Sequence, residues 1–399
     1  MKIAMLTTSF LPIPASKGGA VEILMTELLE QIKKNDNLNI DVFNNCPNKD
    51  NVKEKQDYIN YFFLPNSKKE MLFDYVRRAN KFFRKKILKK NLYIKTSFVS
   101  KLIKKHNLNK YDMLLVEGSP HQILQLREAY KGKIVLHIHT TMQFTKEVPF
   151  AKEILTACDY VLANSEFVKM RITEIDPNQK EKVILFLNCI KTKNFGKEEF
   201  KDFRESYRKE LNITKREKLL LYSGRIVPEK GIKELLLAHK NCPKSKLVVM
   251  GGNFLNNQKN QAYLQELKEI SNELENRIYF TGFVKHSEIA KYIYACDIGV
   301  VPSLCEEAAG LVAIEALASG LPVIATNMGG LPEYVSKNAG IIVENDENLV
   351  QNLSSAINIL SNDEELYLEK KKNAKLSIEK FDMKEYYKNF KKILKTIVK

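Results

Sequence analysis

Short apolar runs alternate with longer amphipathic stretches along most of the chain. Lys2–Thr7, Asn39–Phe43, Met113–Val116, Lys133–His137 and Tyr160–Ala163 are brief runs dominated by Val, Ile and Leu, and are predicted strands. Val21–Lys34 repeats its apolar residues at helical spacing and is a predicted helix. The pattern restarts with strands at Lys218–Ser223, Lys246–Gly252, Arg277–Phe283, Ile298–Pro302, Pro322–Thr326 and Gly340–Val343. A helix is predicted over Ile232–Lys240, and the tail Asp382–Lys399 carries Tyr386, Phe390, Ile393 and Ile397 on one helical face. Such alternation predicts an α/β protein, with parallel sheets covered by helices on both faces.

An internal echo suggests two related halves. Ala157-Cys-Asp-Tyr-Val-Leu-Ala-Asn-Ser165 resembles Ala295-Cys-Asp-Ile-Gly-Val-Val-Pro-Ser303. Each reads as the end of a helix, a buried strand and a closing serine, as expected of two Rossmann-like domains in tandem. The polar stretch from Asn188 to Glu217 is the expected crossover. The division expected is 1–195, 196–380, and a C-terminal helix over 381–399 that packs back on the first domain.

Charge narrows the partners. The chain has 64 Lys+Arg against 48 Asp+Glu, a net +16. That excess suits an anionic partner such as a phosphorylated ligand, an acidic membrane or nucleic acid. It equally suits a solvated Lys-rich surface. The six cysteines form no Cys-x-x-Cys pair and have no zinc-like spacing to histidine, a pattern that fits a reducing compartment. No apolar run approaches the ~20 residues of a transmembrane helix, and the N-terminal run reads as a strand rather than a signal peptide. A cytoplasmic location is expected.

Chemistry concentrates in Ser303-Leu-Cys-Glu-Glu-Ala-Ala-Gly-Leu-Val-Ala-Ile-Glu-Ala-Leu-Ala-Ser-Gly320. A strand ends before it, Glu307 lies in the loop, Gly310 stands where a helix begins, and Glu315 lies within that helix. Free amides and the positive dipole end at such a helix start favour an anion, and Gly310 leaves room for one. Acidic residues at a helix start are also stabilising by themselves. A second constellation, Tyr222-Ser-Gly-Arg-Ile-Val-Pro-Glu-Lys-Gly231, joins a strand to a helix. It places Arg225 and Lys230 at the carboxyl end of a strand, where open α/β sheets bind ligands. Two cations there suit a diphosphate, or are ordinary surface charges.

Together these segments resemble the GT-B glycosyltransferases of family 4. The resemblance rests on Glu307-x7-Glu315 followed by Ala316-Leu-Ala-Ser-Gly-Leu-Pro-Val-Ile-Ala-Thr326, and on Gly224-Arg-x-x-x-Glu-Lys-Gly231. It implies two Rossmann-like domains facing across a cleft, the first for the acceptor and the second for a nucleotide-sugar donor. It also implies sugar transfer with retention at the anomeric carbon and without a metal ion. Carried over by position, Arg225 and Lys230 would hold the donor diphosphate, Glu307 the sugar hydroxyls and Glu315 the ribose. The amides of Gly310 and Leu311 would face the diphosphate and sugar. Gly18-Gly19-Ala-Val-Glu22 matches a glycine loop closing over the phosphates, in a form similar to enzymes of cell-surface and spore-coat polysaccharide synthesis. UDP-linked hexose or N-acetylhexosamine is the donor this resemblance favours. Two departures stand out: Asn188-Cys-Ile-Lys191 replaces the usual Asn-Gly, and Ala309 replaces an aromatic residue.

His137-Ile-His139 ends a first-domain strand. A lone histidine there is often a hydrogen-bonded core residue, but His139 with Thr140 resembles the family's active-site histidine. The two imidazoles share a strand face, yet no third ligand is evident, so a metal is not expected. From Arg77 to Lys110 thirteen Lys or Arg residues occur with no Asp or Glu, interleaved with apolar residues. This segment reads either as a membrane-surface element on an anionic inner leaflet, suited to a lipid-linked acceptor, or as a solvated helix pair. No nucleic-acid module accompanies it. The function expected is a retaining glycosyltransferase acting on a polysaccharide, lipid-linked or protein glycan acceptor. The alternatives are a non-catalytic subunit of the same fold, which would stabilise a partner transferase, and a nucleotide-sugar epimerase.

Overall fold

A computed structural model describes residues 1–7, 11–15, 19–46, 58–72, 75, 93–252, 258–274 and 276–398. The chain divides into two compact units, Met1–Leu187 with Tyr386–Lys399, and Asn188–Glu385. Each is a parallel α/β sheet covered by helices.

The first unit holds seven strands: β1 (Lys2–Leu6), β2 (Asn39–Asn44), β3 (Ile59–Phe63), β4 (Met113–Glu117), β5 (Lys133–Ile138), β6 (Tyr160–Ala163) and β7 (Val183–Leu185). Their order is β3-β2-β1-β4-β5-β6-β7. β4 is buried at every position and β5 at all but its first. Strands covered on both faces need such unbroken apolar runs rather than alternation. Two strands, β3 and β7, escape sequence reading, and both lie at sheet edges. Partial burial there permits Asn60 and half-exposed aromatics in β3, so the apolar signal is diluted. Of the tail helix Met383–Val398, residues from Tyr386 onward belong to this unit, and Tyr386 stacks on Phe186 with ring centroids 4.1 Å apart.

The second unit holds β8 (Lys218–Ser223), β9 (Ser245–Met250), β10 (Ile278–Gly282), β11 (Ile298–Val301), β12 (Val323–Thr326) and β13 (Gly340–Val343), in the order β10-β9-β8-β11-β12-β13. The sequence runs outward from β8 to β10 on one side and from β11 to β13 on the other. The topological switch point therefore lies between β8 and β11, the crevice where open α/β sheets bind ligands.

The internal echo has a structural counterpart. Asp159 accepts from the Ile134 amide at 2.9 Å and from Arg127 at 2.6 Å. Asp297 accepts from the Leu219 amide at 2.8 Å, and from Arg204 at 2.5 Å and Arg208 at 2.7 Å. In both units an aspartate before a strand ties that strand to a neighbour and neutralises its charge on arginine. Asp297 is nearly fully buried, a position carboxylates rarely take unless paired.

Candidate active site

Two loops flank the switch point of the second unit. The first follows β8 and carries Arg225 and Lys230 before the helix Ile232–His239. The second follows β11 and carries Ser303 and Glu307 before the helix Leu311–Ala318. A backbone bond from Leu304 N–H to the Glu229 carbonyl, 3.0 Å, joins them. Across this junction Lys230 Nζ lies 2.5 Å from Glu307 Oε1. Ser303 Oγ donates to the same oxygen at 2.5 Å. Ser303 is buried, while Lys230 and Glu307 retain 22 % and 19 % side-chain exposure, so the pair remains open to a ligand.

The Glu307 backbone is held independently. It forms an isolated parallel bridge with Gly329, and its carbonyl accepts from Gly330 N–H at 2.7 Å. Gly329 has φ +60°, and a Cβ there would fall 2.4 Å from the Glu307 oxygen. Glycine alone allows both this left-handed conformation and this approach.

Arg225 is set apart from that cluster. Its side chain is 53 % exposed and lies 3.7 Å from Glu229, while Tyr222 Oη donates to its carbonyl at 2.7 Å. The anchored backbone leaves the guanidinium in solvent. Glu315 is half-buried in the helix Leu311–Ala318. Gly310 is the residue preceding that helix, and Leu311 is its first turn. A Cβ at Gly310 would lie 2.7 Å from Leu331 Cδ1, so a larger residue there would require the Leu331 side chain to shift. The unusual segment at Asn188–Lys191 runs beside the turn before the tail helix. Asn188 N–H donates to Tyr334 Oη at 3.0 Å, and Ile190 exchanges backbone bonds with Phe381 and Met383.

In the first unit His139 follows β5. Its amide donates to Gln143 Oε1 at 3.1 Å and its carbonyl accepts from Asn164 Nδ2 at 3.2 Å. The absence of a third group beside His137 and His139 is an expectation the structure corrects. β4 and β5 are neighbours with Glu117 opposite His137, which brings the Glu117 carboxylate between the two rings. Burial opposes the charge on Glu117, yet the facing histidines hold its carboxyl down to about 2. Burial, and then His137, push His139 down to about 4 against the pull of Glu117. Gly19 precedes the helix Ala20–Leu29, with Glu22 in its first turn, whereas Gly18 lies outside the described residues. Residues 77–92 of the basic segment 77–110 are likewise outside them. Its described part includes the helix Ser97–Lys105, whose Phe98, Val99 and Leu102 are buried. No described helix is long and apolar enough to cross a membrane.

Sequence reading missed Ser303 and Glu117 as site residues. Both are polar groups at the carboxyl end of a central strand, which was the available signal. Their partners depend on strand order.

Residues 203–377 match the model of the glycosyl transferases group 1 family. Spore coat protein SA of Bacillus subtilis is 24 % identical over 375 residues, covering 91 % of this chain and 91 % of its own length. The lipopolysaccharide 1,2-N-acetylglucosaminetransferase of Salmonella typhimurium is 28 % identical over 229 residues, 56 % of each chain. Among solved structures, HepE of Anabaena in complex with UDP superposes with a TM-score of 0.75 at 19 % identity, covering 99 % of this chain and 100 % of that one. Sucrose-phosphate synthase of Thermosynechococcus elongatus gives 0.74 at 21 % identity, covering 99 % and 98 %. On the family match and the shared fold, the segment 203–377 is a glycosyl transferases group 1 domain and the chain a glycosyltransferase of the GT-B fold.

Proposed function

We propose that the protein is a retaining, family 4 glycosyltransferase that moves a hexose or N-acetylhexosamine from a UDP-linked donor to a surface glycan, lipid-linked or protein glycan acceptor. The observation that carries this is the convergence of Lys230 and Ser303 on one oxygen of Glu307, beside the start of the helix Leu311–Ala318. A cation, a carboxylate and a helix N-terminus together offer recognition for both halves of a sugar diphosphate.

In this reading Lys230 and Arg225 neutralise the departing diphosphate, aided by the amides of Gly310 and Leu311, in place of a metal ion. Glu307 accepts hydrogen bonds from sugar hydroxyls, and Glu315 binds the ribose diol. His139 and Gly19 are the described first-unit residues that this reading assigns to donor recognition. HepE was solved with UDP, which supports the choice of nucleotide. The likeness to the lipopolysaccharide 1,2-N-acetylglucosaminetransferase supports a surface-glycan acceptor. A basic segment at 77–110 suits docking on an anionic inner leaflet, where a lipid-linked acceptor would be met.

Thermal-shift titration with nucleotide sugars tests the donor, because a ligand of the native state raises its stability by mass action. UDP-glucose or UDP-N-acetylglucosamine should raise the melting temperature, and Glu315→Ala should abolish that rise. Product nuclear magnetic resonance should show the anomeric configuration of the donor. No nucleotide release from any donor in the presence of acceptor extracts, with an unaltered shift for Glu315→Ala, rejects the proposal.

A further inference from the structure

The serine that closes each half of the internal echo has a different task in each unit. Ser165 precedes the helix Glu166–Thr173, and its hydroxyl accepts from Val168 N–H at 3.1 Å, an ordinary helix cap. After Ser303 the next helix starts only at Leu311, so there is no helix end beside it to cap. Its hydroxyl turns instead to Glu307 Oε1, 2.5 Å away.

The backbones at both ends of that bond are fixed. The Ser303 carbonyl accepts from Thr326 Oγ1 at 2.7 Å, and the next amide, that of Leu304, donates to the Glu229 carbonyl. On the other side Pro302 packs against Gly231, where a Cβ would fall 1.8 Å from the Pro302 oxygen. Glu307 is tied through its backbone to Gly329 and Gly330. What remains to be fixed is the Glu307 side chain, which has the rotamer freedom of any glutamate.

Two hydrogen-bonding groups hold that side chain, and they are not equivalent. Lys230 is a partly exposed cation, for which a diphosphate would compete with Glu307. Ser303 is neutral and buried, so an incoming anion does not draw it away. A carboxylate can only accept, so the Ser303 proton lies on the bond to Glu307. Such bonds to an ionised group are short and strong. Both groups converge on Oε1, which leaves Oε2 as the oxygen to face a ligand.

We propose that Ser303 is a positioning residue: it keeps Glu307 Oε1 in place when Lys230 turns to the diphosphate, so that Oε2 meets the sugar hydroxyls in one orientation. The proposal rests on the roles given to Lys230 and Glu307 under the function proposed above. Lys230 is the exchangeable partner of the glutamate, and Ser303 the permanent one.

Calorimetric binding of UDP-glucose and of UDP to the full chain separates this role from a structural one, because UDP lacks the sugar that Glu307 would meet. Ser303→Ala should weaken UDP-glucose by about 10-fold, the scale of one hydrogen bond to a charged group, and change UDP by less than about twofold. Equal losses for both ligands overturn the proposal. In a Glu307→Ala background the same substitution should add nothing, since residues that act through one another are not additive. Additive losses overturn the proposal as well. Ligand-free crystals supply a test that needs no sugar nucleotide. Lys230→Ala imitates the departure of the lysine, and Glu307 should stay on Ser303 in that variant. Adding Ser303→Ala should release Glu307 into other orientations. A glutamate that moves in the first variant, or stays in the second, overturns the proposal. If neither UDP-glucose nor UDP-N-acetylglucosamine binds the wild type, the functional reading fails, while the crystals still decide whether Ser303 holds Glu307. If the double variant does not fold, the Lys230→Ala crystals alone decide it.

Discussion

Lys230 Nζ lies 2.5 Å from Glu307 Oε1, although the two residues are 77 positions apart. The contact exists because β8 and β11 are adjacent, with Leu220 opposite Ile298. It holds a cation and a carboxylate at the switch point before any ligand arrives. In the proposed reaction both change partners: the lysine turns to the diphosphate and the glutamate to the sugar.

Lys230→Ala should therefore separate activity from stability. Loss of a cation that stabilises the leaving group should lower kcat/KM by about 10²–10³-fold. Partly exposed pairs contribute about 1 kcal/mol or less to folding, so urea melts should barely move. Donor kinetics beside denaturation curves check this. An active variant with a large stability loss would make the pair structural.

Gly329→Ala should damage the site through the backbone. With φ at +60° and its Cβ 2.4 Å from the Glu307 oxygen, alanine must displace the loop. The expected loss is about 1–3 kcal/mol of stability, with a raised donor KM. Gly252→Ala is the control, because among the described residues its Cβ would meet only Phe283, at 3.7 Å. Equal effects from the two substitutions contradict the argument.

Asp297→Asn should cost about 3 kcal/mol, since it leaves Arg204 and Arg208 without their buried counter-charge. Asp159→Asn should cost about 1 kcal/mol, because Asp159 is 26 % exposed and water screens its arginine. Burial opposes the charge of Asp297, but the two arginines and the Leu219 amide hold its pKa below the ordinary 3.8. Its contribution is thus present above pH 3.8 and is lost as the pH falls below it. Chemical denaturation of both variants gives the ranking.

Between about pH 6.5 and 4 the fold should weaken as acid is added. Burial, and then Arg277, push buried His239 down to about 4, while its Nε2 lies 3.1 Å from the Ser245 carbonyl. In that window the unfolded chain takes up a proton that the folded chain refuses, so stability is lost as pH falls. His139 has the same sign. His239→Gln should flatten the dependence by up to about 1.4 kcal/mol per pH unit. Superimposable pH profiles for variant and wild type would exclude His239 as a source.

The sequence by itself determined the alternation of strands and helices, the restart after residue 217 and the chemistry gathered between Ser303 and Gly320. These are local properties: apolar runs, helical spacing, and glycine and carboxylate positions within a few residues. It also marked His139, Arg225, Lys230, Glu307 and Glu315, because each falls near the carboxyl end of a strand or in the following helix. Only the tertiary structure decided which of them meet. Strand order pairs Lys230 with Glu307 and leaves Arg225 in solvent, and the β4–β5 register sets Glu117 against the two histidines. The edge strands β3 and β7 were hidden for the same reason. Their identity comes from hydrogen bonds to β2 and β6 more than from burial of their own side chains. Periodicity encodes which face of an element is apolar, but not which element lies beside it.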